Sequence, residues 1–130
     1  MKIFKKLSHD GFTAIELLIV VVVVGFLAGI ILVKYQDVVR SANDSDRKSE
    51  VSQIEQRLSK YYVDNNSYPS TLADLSDLPA DLLTDSKGLA YSYKATSEDG
   101  GKCMTEADDC ANYSITATME NETEYNRTSS

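Results

Sequence analysis

Leu17 to Val33 reads LLIVVVVVGFLAGIILV, 17 residues without a polar side chain, and nothing else in the chain limits its fold so severely. With Phe12 to Glu16 added, the segment covers 22 residues, or roughly 33 Å as helix, enough to cross the hydrocarbon core of a bilayer. Val20 to Val24 have low helix propensity in water, but in lipid every backbone donor needs a partner within its own segment, and that forces the helix. Lys2, Lys5 and Lys6 precede the run, whereas Lys34, Asp37 and Arg40 follow it. The basic bias therefore places the N-terminus in the cytoplasm and the rest of the chain outside. A secretory signal has a shorter apolar core, about 7 to 15 residues, ending at a small-residue cleavage site. A plain single-pass anchor satisfies hydropathy equally well. Gly25 and Gly29 stand at a G-x-x-x-G spacing that lets a second helix approach closely, although glycine is common in membrane helices in any case.

Beyond this run Tyr35, Val38, Val39 and Ala42 fall at helical spacing, and Val51, Ile54, Leu58, Tyr61 and Tyr62 resume it after the polar stretch Asn43 to Glu50. The pattern predicts one helix from Phe12 to about Val63, roughly 78 Å long, with its apolar stripe facing a core. Order should be weakest in the polar stretch. Turn formers from Asp64 to Ser67 end the helix, and Tyr68-Pro69 biases the backbone towards extended geometry. Leu72, Leu75, Leu78, Leu82 and Leu83, with Pro79 among them, read as a short helical turn tucked against the long helix. Alternation then gives two strands, Leu89 to Ala95 and Tyr113 to Met119, each with one apolar face. Glu120 to Ser130 is polar and expected to fray. The fold class is α+β: a long N-terminal helix, membrane-spanning in its first half, packed against a small antiparallel sheet. Its segments are residues 12–33 in the membrane, 34–64 as the extracytoplasmic half of the helix, 65–119 as the head and 120–130 as the tail.

The formal charge is -7, and residues 12–130 hold 19 acidic against 10 basic side chains. Such a surface repels phosphate backbones and disfavours general nucleic-acid binding. His9 is the one histidine, and Cys103 and Cys110 have six residues between them, which is not a C-x-x-C pair. Neither His-based catalysis nor a structural zinc site has a ligand set. No catalytic residue, cofactor or metal is assigned, and the cysteines, in an external and oxidising location, read as a disulfide. Glu98, Asp99, Glu106, Asp108 and Asp109 match no calcium-loop spacing and read as a solvated acidic loop. Asn43, Asn65, Asn112, Asn121 and Asn126 each begin an N-x-S/T triplet, as chance predicts here, and no glycan is assigned.

Gly11-Phe12-Thr13-Ala14-Ile15-Glu16-Leu17-Leu18-Ile19-Val20 resembles the class III leader junction of bacterial type IV pilins and the related pseudopilins. The similarity continues through Gly25 to Tyr35-Gln36-Asp37, and Tyr61-Tyr62 through Tyr68-Pro69 is similar to the end of the long helix in these families. The resemblance implies that residues 1–11 are a leader cut by a prepilin peptidase between Gly11 and Phe12, and that Phe12 is N-methylated. It also implies an inner-membrane assembly machinery that moves the helix from membrane lipid into a filament, beside other copies of the chain or other pilins. Asp10 stands where a basic residue is usual, and Val33 where many pilins have a proline, so a straighter helix is expected.

Glu16 is an ionisable side chain in a membrane segment and needs compensation. After cleavage the Phe12 ammonium of a neighbouring subunit would neutralise it inside a filament. The alternatives are that it snorkels to the interface or pairs with its own N-terminus four residues back. The implied function is a structural subunit of a type IV pilus or pilus-like filament, without catalysis. A pseudopilin of a type II secretion or DNA-uptake (competence) system is the alternative within that class, and a membrane-tethered binding module the one outside it.

Overall fold

The computed structural model describes residues 11–105 and 109–129. Residues 1–10, which belong to the expected leader, Glu106 and Asp108 of the acidic loop, and Ser130 lie outside the described residues. The chain divides between Asp37 and Val38 into two compact units. Helix α1, Ala14–Asn65, supplies the regular structure described for the first unit and continues into the second. It runs through Val33 without interruption. Every residue from Gly11 to Ala42 is exposed, and among the described residues α1 is the one helix long and apolar enough to cross a membrane. Tyr35, Val38 and Val39 were expected on a core-facing stripe; they are exposed at 64, 64 and 38 %. Burial on α1 begins at Asn43, whose side-chain amide donates to Glu120, and the apolar positions before it are left uncovered by the described residues.

From Asn43 onwards the stripe behaves as its spacing requires. Val51, Ile54 and Leu58 are fully buried, each side chain contributing about 1.5–3 kcal/mol of hydrophobic stabilisation. The helix stops where Asn66 turns left-handed (φ 57°) and its N–H donates to the Tyr62 carbonyl at 2.7 Å, an ending that asparagine tolerates better than most residues. Two 3-10 turns follow, Leu72–Asp74 and Ala80–Leu83. They bring Leu72, Leu75 and Leu82 inside, with Leu78 and Leu83 packed against the core.

The sheet has three antiparallel strands in the order β1-β2-β3: β1 Ser92–Thr96, β2 Asn112–Thr118 and β3 Glu124–Thr128. Register sets Tyr93 opposite Ile115 and Ala95 opposite Tyr113, so the apolar faces of both expected strands lie together over the helix. Strand β1 starts later than the alternation suggests. The Asp85 carboxylate accepts the N–H groups of Lys87 and Leu89, and Gly88 at φ 80° completes a tight turn that leaves Leu89 exposed. The third strand corrects the frayed tail. Glu124-Tyr125-Asn126-Arg127-Thr128 has a single apolar residue and hence no alternation to read, yet it pairs along β2, with Tyr125 opposite Ala117. Arg127 Nε closes the edge by donating to Glu55 at 3.1 Å.

Asn43 to Glu50 is helical, as the expected continuous helix requires, but where order was expected to be weakest it carries the head's buried ion cluster. Arg47 is 2 % exposed. It donates from Nε to Asp85 at 2.7 Å, from Nη1 to Asp44 at 3.0 Å and from Nη2 to Glu120 at 3.3 Å, and Lys87 Nζ joins Glu120 at 2.6 Å. Asp44 also accepts the N–H groups of Glu120 and Asn121. Three segments distant in sequence are thereby tied together: α1, the turn at 85–89, and the β2–β3 connection. Burial alone would raise the carboxyl pKa of Asp44 and Asp85, but backbone amides together with Arg47 outweigh it and hold both below their ordinary value. For Glu120 the Lys87 ammonium does the same. Burial acts against the Arg47 charge too, and its carboxylate partners more than restore it.

Candidate assembly site

Gly11, Phe12 and Thr13 precede α1 as non-helical, exposed residues, so the Gly11–Phe12 peptide bond lies on accessible backbone. Thr13 then caps the helix. Its hydroxyl accepts the Glu16 N–H at 3.3 Å, and Glu16 Oε2 in turn accepts the Thr13 N–H at 3.0 Å and the Thr13 hydroxyl at 2.9 Å. This reciprocal arrangement is a capping box, which needs Ser or Thr at the cap and Glu or Gln three residues on. Thr13 is the residue that the sequence reading passed over, although Thr13-Ala14-Ile15-Glu16 carries the signal in full. Glu16 therefore has a partner in its own chain three residues back, at Thr13. Its Oε1 receives no hydrogen bond from any described residue. A carboxylate fixed by one oxygen, with the other open at the head of an apolar helix, is suited to receive a cation from outside the chain.

Gly25 and Gly29 lie one turn apart on the exposed stretch of α1, and a Cβ placed on either would meet nothing within 4 Å. The space is open to a neighbouring helix. Cys103 and Cys110 are both buried and share a small cluster with Ala95, against which Tyr68 and Tyr93 also pack. Tyr68 continues into the main core through an edge-on contact with Tyr113, 4.8 Å between centroids. Among the described residues no group of three or more His, Cys, Asp or Glu is placed to hold a metal ion.

Comparison with known proteins agrees with this architecture. The family model described as type IV minor pilin ComP, DNA uptake sequence receptor, matches residues 34–128, which takes in the whole head. The chain is 31% identical over 74 residues to type II secretion system core protein G of Aeromonas hydrophila, covering 57% of this chain and 52% of that protein. With the core protein G of Pseudomonas aeruginosa the identity is 34% over 71 residues, 55% of this chain and 50% of the relative. Type IV major pilin protein PilE1 of Neisseria gonorrhoeae is 34% identical over 76 residues, 57% and 46% of the two chains. The chain spans about half the length of the curated relatives it matches. No solved structure gives a significant match. With a membrane-length apolar helix, a small antiparallel head and a family match over nearly three quarters of its length, the chain belongs to the type IV pilins, in the minor pilin ComP family.

Proposed function

We propose that this chain is a non-catalytic structural subunit of a type IV pilus or pilus-like filament, assembled through α1. One observation carries the reading: the apolar face of α1 up to Ala42 is bare and begins at a capped carboxylate with one open oxygen. Lipid covers that face while the subunit waits in the inner membrane, with its N-terminus cytoplasmic. Helices of neighbouring subunits cover it afterwards, with Gly25 and Gly29 as points of close approach. A prepilin peptidase cuts between Gly11 and Phe12, and N-methylation follows at Phe12. N-terminal sequencing of the mature protein should begin at Phe12. Electron microscopy of surface filaments, with mass spectrometry of the sheared fraction, should find this chain in them. Recovery only as a membrane monomer, or a start beyond the apolar run, would overturn the reading.

The cysteines are proposed to form a disulfide in the oxidising exterior. They are buried in one cluster, and closing a loop of this size contributes about 2–3 kcal/mol in the chain-entropy description. Protein purified without reductant should show no free thiol, and reduction should loosen the loop between β1 and β2 before α1. Detection of two thiols would remove the bridge. A second reading, a filament serving DNA uptake, is favoured over a secretion pseudopilin by the family description, since that match covers the head.

A further inference from the structure

We infer that the open edge of β1 takes up an extended strand from a partner polypeptide, one that carries an apolar side chain between acidic ones. Strand β1 pairs with β2 along one side. On its other side the described residues cover only the two ends: the Tyr91 N–H donates to the Leu83 carbonyl, and the Ala95 carbonyl accepts the Cys103 N–H. Backbone groups of alternate residues point the same way across a strand, so the N–H and carbonyl of Tyr93 face this side too. No described residue pairs with them. Unpaired edge groups are a template for another strand, and these stand in the gap between two short bridges, Thr84 with Ala90 and Thr96 with Lys102.

A residue set opposite Tyr93 in antiparallel pairing would exchange both hydrogen bonds with it and hold its side chain on the face that carries the Tyr93 ring. Beside the edge on that face lies a cavity of about 280 Å³, lined in part by Thr71, Leu72, Leu83, Ala90, Tyr91 and Tyr93. Its walls are fixed, since Leu72 and Tyr91 are buried and the Tyr93 hydroxyl donates to the Pro69 carbonyl at 2.8 Å. A large apolar side chain such as Leu or Phe suits that space. The residues on either side of it would lie on the opposite face, with Ser92 and Lys94. Lys94 is exposed, and so is Lys102, whose bridge to Thr96 puts it on the same face. Ion pairs of the described residues use Arg47, Lys48, Lys60, Lys87 and Arg127 and leave these two lysines without a carboxylate. Lys34, Arg40 and Arg57 share that state but lie on α1. Glu98 and Asp99 stand in the turn beyond the Thr96 bridge, and Asp74 is already engaged by Ser70 and Thr71. Lysines on an edge repel a basic strand and attract an acidic one. Charge thus selects what the backbone admits: acidic side chains outward, an apolar one inward.

Fluorescence anisotropy of full-length protein in detergent tests this with a labelled synthetic peptide, Thr-Val-Glu-Phe-Glu-Val-Thr. The peptide should bind, and changing its Phe to Ala, or both Glu to Lys, should weaken binding at least tenfold. N-methylation of the Phe amide, which faces Tyr93, should abolish binding, whereas N-methylation of the next amide, which faces away, should be tolerated. On the protein, Ala90→Phe fills the cavity from an exposed position and should remove binding with Tm unchanged. Lys94→Gln should weaken it several-fold, while Lys60→Gln, off this edge, should leave it as it was. Absence of binding even at about 1 mM peptide, or equal loss from methylation at either amide, would overturn the inference. Self-association of the protein in analytical ultracentrifugation that Ala90→Phe abolishes would overturn the choice of partner and give the edge to a second copy of this chain.

Discussion

Cells making only Glu16→Val protein should cleave it after Gly11, accumulate it in the membrane and display at least tenfold fewer surface filaments. The substitution removes a charge from the bilayer segment, so insertion is no harder than before. In a filament the incoming subunit's Phe12 ammonium would meet no carboxylate. An uncompensated charge buried in an apolar core costs about 3–5 kcal/mol, roughly a hundredfold or more in affinity, and the cost recurs with every subunit. The capping box supplies a control that separates charge from helix geometry. Glu16→Gln keeps an acceptor for the Thr13 N–H and hydroxyl while removing the charge, because glutamine also serves at that position. It should fail to assemble in the same way as valine. Filaments of normal number and length in the valine strain would show that Glu16 has no pairing role, and assembly by glutamine alone would assign Glu16 to the cap.

Replacing Arg47 with methionine should destabilise the head by about 3–5 kcal/mol, the usual result of removing one partner from a buried ionic group. Asp44 and Asp85 would stay in place with their other hydrogen bonds but without the guanidinium that compensates their charge. Thermal denaturation of the detergent-solubilised chain would report this as a fall in Tm, and an unchanged Tm would mean that backbone amides alone hold the carboxylates. The unmodified head should also have an acid limb. Asp44, Asp85 and Glu120 all titrate below their ordinary values when folded, so the unfolded chain binds protons first as pH drops. Their stabilisation is complete above about pH 4–5 and is lost below about pH 4, as pH falls through the folded values. In Arg47→Met this acid dependence should be shallower at Asp44 and Asp85, whose carboxyls lose a depressing partner.

The apolar run, the Val51-Ile54-Leu58 stripe and the first two strands were legible because burial on one face leaves a period in the sequence, 3.6 for the helix and 2 for the strand. Where no period exists the sequence is mute. Strand β3 is held by backbone pairing to β2 and by Arg127 on Glu55, and a polar edge strand resembles a tail. Arg47 was hidden for a related reason: a buried ion cluster and a solvated helix face have the same composition, and only the tertiary return of Asp85 and Glu120 distinguishes them. Tyr35, Val38 and Val39 show the converse limit. Their spacing marks a face that is apolar, but not which chain will cover it. Thr13 was readable from its spacing to Glu16, and escaped because the membrane argument claimed the same carboxylate.

The capping box has a consequence for maturation. Thr13 and Glu16, with the Thr13 carbonyl that accepts the Leu17 N–H at 3.2 Å, all lie on the C-terminal side of the Gly11–Phe12 bond. A cut there would remove none of the described hydrogen-bond partners of the helix end. Under the proposed processing, the cap formed by Thr13 and Glu16 would be common to precursor and mature subunit. The proposed cleavage would create an ammonium at Phe12 beside a cap already formed. On that proposal maturation would change the charge beside a finished cap and leave the described helix tip as it stands.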